Sequence, residues 1–181
     1  YRVSNGIALT LGAPVGLDIS SEFEQFAAEQ GWAVAWYSVN AQFADAHPEL
    51  KRLQVAEEAV LNCESVEFKG KKFQNVRTAR NKAEKEGITT RWTTWKELDI
   101  ASIARITALS EDWVSDKALP EMGFTLGGLE EMMVDGTRLL LAESADGTLH
   151  GVTSWMPVYE NGAIVGYVLD VMRRNEHCLL Y

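Results

Sequence analysis

Cationic side chains are concentrated in one short stretch of this acidic chain. Eight of the 17 Lys and Arg residues, but only two of the 26 Asp and Glu residues, fall between Lys69 and Arg91. The whole chain has a formal net charge of −9. A cluster of cations in an otherwise acidic protein indicates a binding site for an anion, and phosphate is the anion we expect.

Four side chains from this stretch are candidates for binding a phosphorylated substrate: Arg77, Arg80, Asn81 and Lys82. They lie on a predicted helix, where Arg77 and Asn81 are four residues apart and project to the same side. An Arg can hold a phosphate through two hydrogen bonds and so supplies both charge and orientation. The alternative is a solvated basic helix face, in which Arg80 pairs with Glu84 four residues later.

A second group of charged residues follows an apolar strand near the end of the chain. Asp170 precedes Arg173 and Arg174, and strict alternation puts Asp170 and Arg174 on one face and Arg173 with Val171 on the other. A carboxylate there can bind a cationic amine or take a proton from a hydroxyl, and the two arginines can bind phosphate. The alternative is an Asp–Arg ion pair that finishes the strand.

Two further side chains complete the candidate site. Tyr159 can donate a hydrogen bond to a developing oxyanion, and Glu121, with Asp116 or Glu57 as alternatives, can bind the ammonium group of a cationic substrate. For both residues a plain surface position is the alternative.

Other function classes are disfavoured by what the sequence contains. The three histidines, His47, His150 and His177, are scattered without the spacing of metal ligands, and Cys63 and Cys178 suggest two reduced thiols. We therefore expect no metal and no cofactor. No apolar run approaches the ~18 residues of a membrane span, and the net negative charge argues against non-specific binding along duplex DNA.

Hydrophobic periodicity predicts the elements that position these residues. Ser20 or Ser21 is expected to cap the first helix. The predicted helices cover residues 22–30, 40–53, 74–86 and 99–115. The predicted strands cover residues 7–11, 32–39, 55–61, 89–95, 138–144, 150–159 and 163–172, and an ordered loop is predicted over 119–128. This order predicts an α/β fold with mixed, largely antiparallel sheets.

Several landmarks in this order resemble those of a known family. They are Gly12-x-Pro14-x-Gly16, Trp36-Tyr37, Lys71-Lys72, Arg77-x-x-Arg80-Asn81, Trp113, Gly123-Phe124-Thr125-Leu126-Gly127, Tyr159 and Asp170-x-Met172-Arg173-Arg174. Together they resemble the C-terminal cytoplasmic domain of bacterial phosphatidylglycerol lysyltransferases. These are the multiple-peptide-resistance-type aminoacyl-phosphatidylglycerol synthases and their actinobacterial relatives fused to a lysyl-tRNA synthetase.

The resemblance implies two acetyltransferase-like (GNAT-type) halves that face one cleft. Residues 1–70 would form the first half, and residues 71–181 the connecting basic helix and the second half. The family continues after the Asp170 motif through a loop and a helix to a further strand, so the second half is expected to be incomplete. The implied reaction transfers an aminoacyl group, usually lysine or alanine and here expected to be lysine, from aminoacyl-tRNA to phosphatidylglycerol.

The same resemblance implies the surroundings of the reaction. The parent protein would carry an upstream transmembrane segment and act at the cytoplasmic face of the bacterial inner membrane. Two alternatives stay open. A CoA-dependent N-acyltransferase is disfavoured because no glycine follows Arg174 to let the backbone approach a pyrophosphate. A non-catalytic module that binds lipid or RNA would use the basic segment alone.

Overall fold

The structure is a computed structural model that describes residues 1–115 and 127–175. The chain divides into two compact units, Tyr1–Cys63 (the N-terminal unit) and Glu64–Tyr181 (the C-terminal unit). This division lies a few residues before the boundary that we predict between residues 70 and 71. Within the described part of the chain, no helix is long and apolar enough to cross a membrane.

The N-terminal unit contains a three-stranded sheet and two helices. Strand β1 (Arg2–Ser4) pairs antiparallel with β2 (Ile7–Leu11), and β2 pairs parallel with β3 (Ala33–Tyr37). Helix α1 (Ser20–Glu29) connects the two parallel strands, and α2 (Ala41–Ala46) follows β3. A parallel pair requires such a crossover, so the sequence order of strand, helix and strand already implied this arrangement.

Both helices of this unit differ from the predicted bounds, α1 chiefly at its start and α2 chiefly at its end. Helix α1 begins at Ser20, and neither Ser20 nor Ser21 caps it, so the predicted serine cap is wrong. The Asp18 Oδ1 accepts hydrogen bonds from Ser20 N (3.0 Å) and Ser20 Oγ (2.6 Å). Helix α2 ends at Ala46, and His47 leaves the helical region directly before Pro48. The predicted continuation to residue 53 is therefore wrong, because the residue before a proline avoids the helical conformation.

The predicted strand over residues 55–61 is also wrong. Residues 51–69 contain no regular helix or strand, and almost every side chain there is exposed. Apolar residues such as Leu53 and Val60 are each 84% exposed. An apolar segment forms a strand only where it can pair and pack, and these residues do neither.

The C-terminal unit is built on a four-stranded antiparallel sheet in the order β4-β5-β6-β7. Its strands are β4 (Thr89–Thr93), β5 (Arg138–Glu143), β6 (Leu149–Glu160) and β7 (Ala163–Arg174). The turn sequences Ala145-Asp146-Gly147 and Asn161-Gly162 each predict a β-hairpin between the strands that they connect, and both hairpins are formed. The β6–β7 turn places Asn161 at φ 49 and Gly162 at φ 79, the positive values that a tight Asn-Gly turn requires.

Three helices accompany this sheet: α3 (Gln74–Lys85), α4 (Ile100–Ser115) and α5 (Leu129–Met132). Helices α3 and α4 were predicted and α5 was not. The buried core consists of Ile106, Leu109, Met132, Leu139, Leu141, Leu149, Val152 and Val171. Helices α4 and α5 therefore cover one face of the sheet, which we call the core face; the opposite one is the outer face. The predicted loop over 119–128 falls mostly outside the described residues.

Candidate functional site

A β-bulge in β7 sets the position of Asp170. Thr153 on β6 pairs with Met172 on β7, while Trp155 pairs with Leu169, so Asp170 and Val171 together stand opposite Ser154. The Val171 N–H donates to the buried Ser154 Oγ at 2.9 Å. A bulge interrupts the alternation of side chains and often lies beside an active site.

The carboxylate of Asp170 approaches the backbone that leads into α5. Its Oδ1 accepts a hydrogen bond from Gly127 N at 3.2 Å. Its Oδ2 is buried and has no hydrogen-bond partner among the described residues. A Cβ atom at position 127 would overlap the Asp170 carboxylate, so this close approach requires glycine. Buried polar atoms are normally paired, and an unpaired carboxylate oxygen is therefore a candidate for contact with substrate.

A second carboxylate binds the next backbone N–H. Glu131 Oε2 accepts from Gly128 N at 2.6 Å, so Gly127 and Gly128 present successive N–H groups to two different acids. Burial raises the pKa of the Asp170 carboxyl and the charge of Glu131 raises it further; the Gly127 hydrogen bond and the charge of Arg173 oppose them. The net effect is a raised pKa, as expected for an acid that has lost part of its solvation.

Arg173 supplies the positive charge at this site. Its side chain is buried, and its Cζ lies 4.1 Å from the centroid of the Trp113 ring on α4, a cation–π contact. Arg173 shares the core face with Val171, as strict alternation predicts. Arg174 is exposed and pairs across the sheet with Gly151. Because Asp170 is drawn toward Gly127 and α5, the predicted shared face of Asp170 and Arg174 is not formed.

Tyr159 lies far along the same hairpin. It pairs with Ile164 and is 57% exposed, with its hydroxyl near Gly136. Ile164 and Asp170 are six positions apart on β7, which corresponds to roughly 20 Å of extended strand. The structure therefore does not bring Tyr159 beside Asp170. Glu121, the remaining acid of the predicted site, lies outside the described residues.

The basic helix α3 makes mostly local contacts. Arg77 is half-buried, and its guanidinium donates to the carbonyl oxygens of Phe68 (2.9 Å) and Gly70 (2.8 Å). Arg80 pairs with Glu84 at 3.6 Å, and both side chains are exposed. Asn81 and Lys82 are exposed as well. Arg77 thus anchors the preceding segment, and Arg80 forms the ion pair that was the alternative to phosphate binding.

A Ser–His–Asp trio on the β5–β6 hairpin does not have the connectivity of a nucleophile. Ser144 Oγ donates to Asp146 Oδ1 at 2.6 Å and lies 3.0 Å from His150 Nε2. This bond, with further ones from Thr148, lowers the pKa of Asp146 to about 2. The single hydroxyl proton is committed to the carboxylate, so His150 cannot act as its base. The trio stabilises the turn.

Two features of the site were missed at the sequence level. Glu131 and the Gly127-Gly128 pair carry a weak signal, since an acid three residues after a helix start commonly caps the backbone.

Arg91, the last cation of the basic segment, forms an ion pair away from α3. It pairs with Glu143 at 2.7 Å, and Glu143 also pairs with Arg105 at 3.2 Å. In the described residues, no group of three or more His, Cys, Asp or Glu side chains is arranged to hold a metal ion.

Comparison with known proteins gives several relatives. An uncharacterized protein of Corynebacterium glutamicum is 55% identical over 97% of this chain and 23% of its own length. The lysylphosphatidylglycerol biosynthesis bifunctional protein LysX of Rhodococcus jostii is 26% identical over 97% of this chain and 16% of its own length. The phosphatidylglycerol lysyltransferase of Staphylococcus xylosus is 27% identical over 91% of this chain and 20% of its own length. The chain thus spans less than a quarter of these relatives.

Solved structures confirm the predicted acetyltransferase-like α/β fold. The structure of L-PGS from Bacillus licheniformis has a TM-score of 0.80 at 22% identity, covering 97% of this chain and 56% of that one. A C-terminal (DUF2156) domain from Agrobacterium fabrum has a TM-score of 0.81 at 18% identity, covering 99% of this chain and 58% of that one. The family described as "Phosphatidylglycerol lysyltransferase, C-terminal" matches residues 1–179, and the chain belongs to this family.

Proposed function

We propose that the protein containing this chain transfers an aminoacyl group, expected to be lysyl, from aminoacyl-tRNA to a glycerol hydroxyl of phosphatidylglycerol. Family membership supports the reaction class. The observation that carries the proposal to particular residues is the half-buried Asp170 carboxylate, one oxygen of which has no hydrogen-bond partner among residues 1–115 and 127–175 and whose pKa is raised by burial and lowered by the charge of the buried Arg173.

The reaction is an exchange of esters. The glycerol oxygen attacks the carbonyl carbon of the aminoacyl ester, a tetrahedral oxyanion forms, and the bond to the tRNA ribose oxygen breaks. The proton lost by the lipid hydroxyl is returned to the ribose oxygen, so no net proton is consumed. Because the donor ester is already activated, positioning and electrostatic stabilisation supply much of the required rate increase.

Asp170 has two possible parts in this exchange. As a general base it takes the glycerol proton on Oδ2, and its raised pKa brings its basicity nearer to that of a useful proton carrier at neutral pH. As a binding group it holds the ammonium of the donor amino acid. The two parts differ in their dependence on the donor: loss of the base slows every donor, whereas loss of an ammonium ligand to the lysine side chain slows lysyl more than alanyl transfer.

Arg173 and Arg174 are proposed to stabilise two different negative charges, one at the reacting centre and one on a substrate phosphate. Arg173 is buried against Trp113 and close enough to Asp170 to influence its pKa, so it stabilises negative charge at the reacting centre. Arg174 is exposed and is proposed to bind a phosphate of lipid or tRNA. Arg80, Asn81 and Lys82 remain proposed as additional phosphate contacts from α3; Arg77 is proposed chiefly to anchor the segment around Phe68 and Gly70 to this helix. Tyr159 and Glu121 remain proposals with no added support.

The partners and the location follow from this proposal. The donor is an aminoacyl-tRNA and the acceptor is a membrane lipid, so the reaction takes place at the cytoplasmic face of the inner membrane. An upstream transmembrane segment of the parent protein would hold the domain there.

The test uses the full-length parent protein with radiolabelled lysyl-tRNA or alanyl-tRNA and vesicles that contain phosphatidylglycerol. Lipids are extracted and separated by chromatography. We expect label in an aminoacylated lipid, dependent on both phosphatidylglycerol and intact aminoacyl-tRNA. Label that stays out of the lipid fraction, with protein that is folded, contradicts the proposed function. Acyl transfer from acetyl-CoA under the same conditions would favour the N-acyltransferase alternative.

A further inference from the structure

The turn that leads into helix α3 displays apolar and cationic side chains together. Phe68 is 47% exposed, and Val76 on the first turn of α3 is 46% exposed. Lys69, Lys71 and Lys72 lie between them in the sequence and are also exposed. None of these residues belongs to the buried core of the C-terminal unit. With the Phe73 ring they form a group that we call the turn patch: Phe68, Lys69, Lys71, Lys72, Phe73 and Val76.

Contacts within the turn hold the patch in one conformation. The Arg77 guanidinium donates to the carbonyl oxygens of Phe68 (2.9 Å) and Gly70 (2.8 Å). The rings of Phe68 and Phe73 meet edge to face with centroids 5.4 Å apart, and Lys72 Nζ lies 4.9 Å from the centroid of Phe73. A surface that is ordered in advance loses less conformational entropy when it binds a partner.

The sequence around the patch is strongly cationic. From Phe68 to Ala83 it contains six Lys and Arg residues and no Asp or Glu. The acid directly before it, Glu67, pairs with Lys69 at 3.1 Å. Both of these side chains are exposed, so water screens the pair and a phosphate can replace Glu67 beside Lys69. The patch therefore suits a partner that is anionic and has an apolar region next to its charges.

We propose that the turn patch docks on the surface of an anionic membrane. The lysines would lie at the level of the lipid phosphates, with Phe68 and Val76 at the boundary with the acyl chains. Basic segments that carry apolar side chains bind such surfaces, and each lysine near the surface adds to the attraction. Phosphatidylglycerol, the lipid in the description of this family, supplies the complementary negative charge.

The aromatic geometry favours lipid over RNA as the partner. Nucleobases bind by stacking on the open faces of aromatic rings. Here Lys72 lies over the Phe73 ring, and Phe68 meets that ring at 88°, so the two rings offer no pair of parallel faces. The aliphatic Val76 beside them has no use in stacking, whereas an acyl-chain boundary accepts all three apolar side chains.

The charge of the proposed product would make this docking self-limiting. Phosphatidylglycerol carries a negative charge, and a transferred lysyl group adds two basic amines, so the product no longer carries net negative charge. The attraction of the lysines depends on the negative potential of the surface and acts over about 10 Å. The patch is therefore released where the surrounding lipid is already modified. Release by product rests on the proposed function, whereas docking on an anionic surface does not.

The test uses the full-length parent protein in lipid nanodiscs. Mass spectrometry measures the rate of tryptic cleavage after Lys69, Lys71 and Lys72, in discs of phosphatidylcholine with or without phosphatidylglycerol. We expect phosphatidylglycerol to slow cleavage at these sites by roughly tenfold or more. Cleavage after Lys51, an exposed residue of the N-terminal unit, is the internal control and should not change. Lysylphosphatidylglycerol or a synthetic cationic lipid, added until the disc is neutral, should restore the cleavage rate.

Variants that keep every tryptic site test the apolar part of the patch. Phe68→Ser and Val76→Ser should each reduce the protection by roughly threefold or more, because less apolar surface is buried in the membrane. Phe68→Trp should retain the protection, since tryptophan is favoured at the membrane interface. Val60→Ser is the matched control: Val60 is 84% exposed in the N-terminal unit and lies outside the patch.

The outcomes separate docking, release and catalysis. Equal cleavage after Lys72 in the two kinds of disc overturns the docking, as does protection that tRNA confers and phosphatidylglycerol does not. Protection that persists in neutralised discs overturns the release by product. The lipid-labelling assay on the same discs tests the proposed function separately. Labelled lipid without protection contradicts only the docking surface, and protection by phosphatidylglycerol without labelled lipid contradicts only the transferase.

Discussion

The basic helix α3 and the bulge in β7 differ in how many charged residues they contain and in how deeply these residues are buried. Helix α3 lies in the most cationic stretch of the chain, yet no residue of the helix is buried and its arginines contact nearby groups. The bulge holds few charges, but Asp170 is half-buried and one of its oxygens has no hydrogen-bond partner in the part of the chain that the structure describes, and Arg173 is buried against Trp113.

The difference shows that a high density of charged residues does not by itself make a region chemically reactive. An exposed ion pair such as Arg80–Glu84 contributes little, because water screens it and two flexible side chains must be ordered. A half-buried carboxylate such as Asp170 has lost part of its solvation, so its charge responds strongly to any group placed against it. We therefore expect changes at the bulge to affect turnover far more than changes on α3.

The largest effect among the positioning residues is expected for Gly127→Ala. The added Cβ would overlap the Asp170 carboxylate and displace it from the Gly127 N–H. Transfer to lipid should fall by about 100-fold, since a shift of the order of 1 Å in a catalytic group can cost this much. The rate of lipid labelling by the parent protein measures it. Gly166→Ala is the control: Gly166 lies on β7, the strand of Asp170, and a Cβ there meets nothing within 4 Å, so the rate of transfer should hardly change.

Arg173→Lys tests the buried charge at the bulge. Lysine keeps the charge but cannot stack its planar head on Trp113, so we expect a loss of about 1 kcal/mol in the free energy of unfolding. Transfer should fall by roughly tenfold. Thermal unfolding and lipid labelling measure the two effects, and Arg174→Lys is the exposed comparison. Equal sensitivity of the two positions would contradict the distinction between buried and exposed arginines.

Much of the fold is readable from the sequence because its signals are local. The Asn161-Gly162 turn and the apolar stripe of α4 each depend on a few neighbouring residues, and both were predicted. The predictions were wrong where the conformation of a segment depends on contacts with residues distant in sequence. Residues 55–61 are apolar enough for a strand but have no partner, and Asp170 departs from alternation because of a bulge that Ser154 stabilises from the neighbouring strand.

The site was predictable in part for the same reason. The motif around Asp170 and Arg173 was evident, whereas Glu131 is brought to it only by the loop and short helix that follow residue 126. The basic segment was conspicuous in composition, but whether Arg77 binds substrate or its own backbone depends on the conformation of residues 68–70. Composition shows where the charged residues lie in the sequence, but only the contacts in the structure show what each charged side chain binds.

A smaller effect concerns the pH dependence of stability. Because the pKa of Asp170 is raised, the folded protein binds its proton more tightly than the unfolded chain does. The contribution of Asp170 to the free energy of unfolding must then fall as pH rises from the ordinary Asp pKa through the folded value. Asp170→Asn should therefore gain stability relative to wild type from acidic to neutral pH, as measured by denaturant midpoints. A difference that does not change with pH would contradict the raised pKa.

The smallest effects are expected on α3. Arg80→Gln removes an exposed ion pair and should change the free energy of unfolding by less than about 0.5 kcal/mol. Arg77→Gln removes two hydrogen bonds to backbone carbonyls and should cost about 1 kcal/mol. Thermal unfolding of both variants measures this order. If Arg80→Gln lowers transfer to lipid as much as Arg173→Lys does, α3 contributes as strongly as the bulge and the contrast between the two regions is lost.

The proposed role of Asp170 is to act at the reacting centre. Its most direct test is the single-turnover rate of lipid aminoacylation by the Asp170→Asn parent protein, with lysyl-tRNA and alanyl-tRNA compared and RNA and vesicle affinities measured on the same sample. We expect a loss of roughly 100-fold or more in the lysyl rate with both affinities retained. A lysyl rate within about twofold of wild type, in a variant that is folded and binds both substrates, would contradict it.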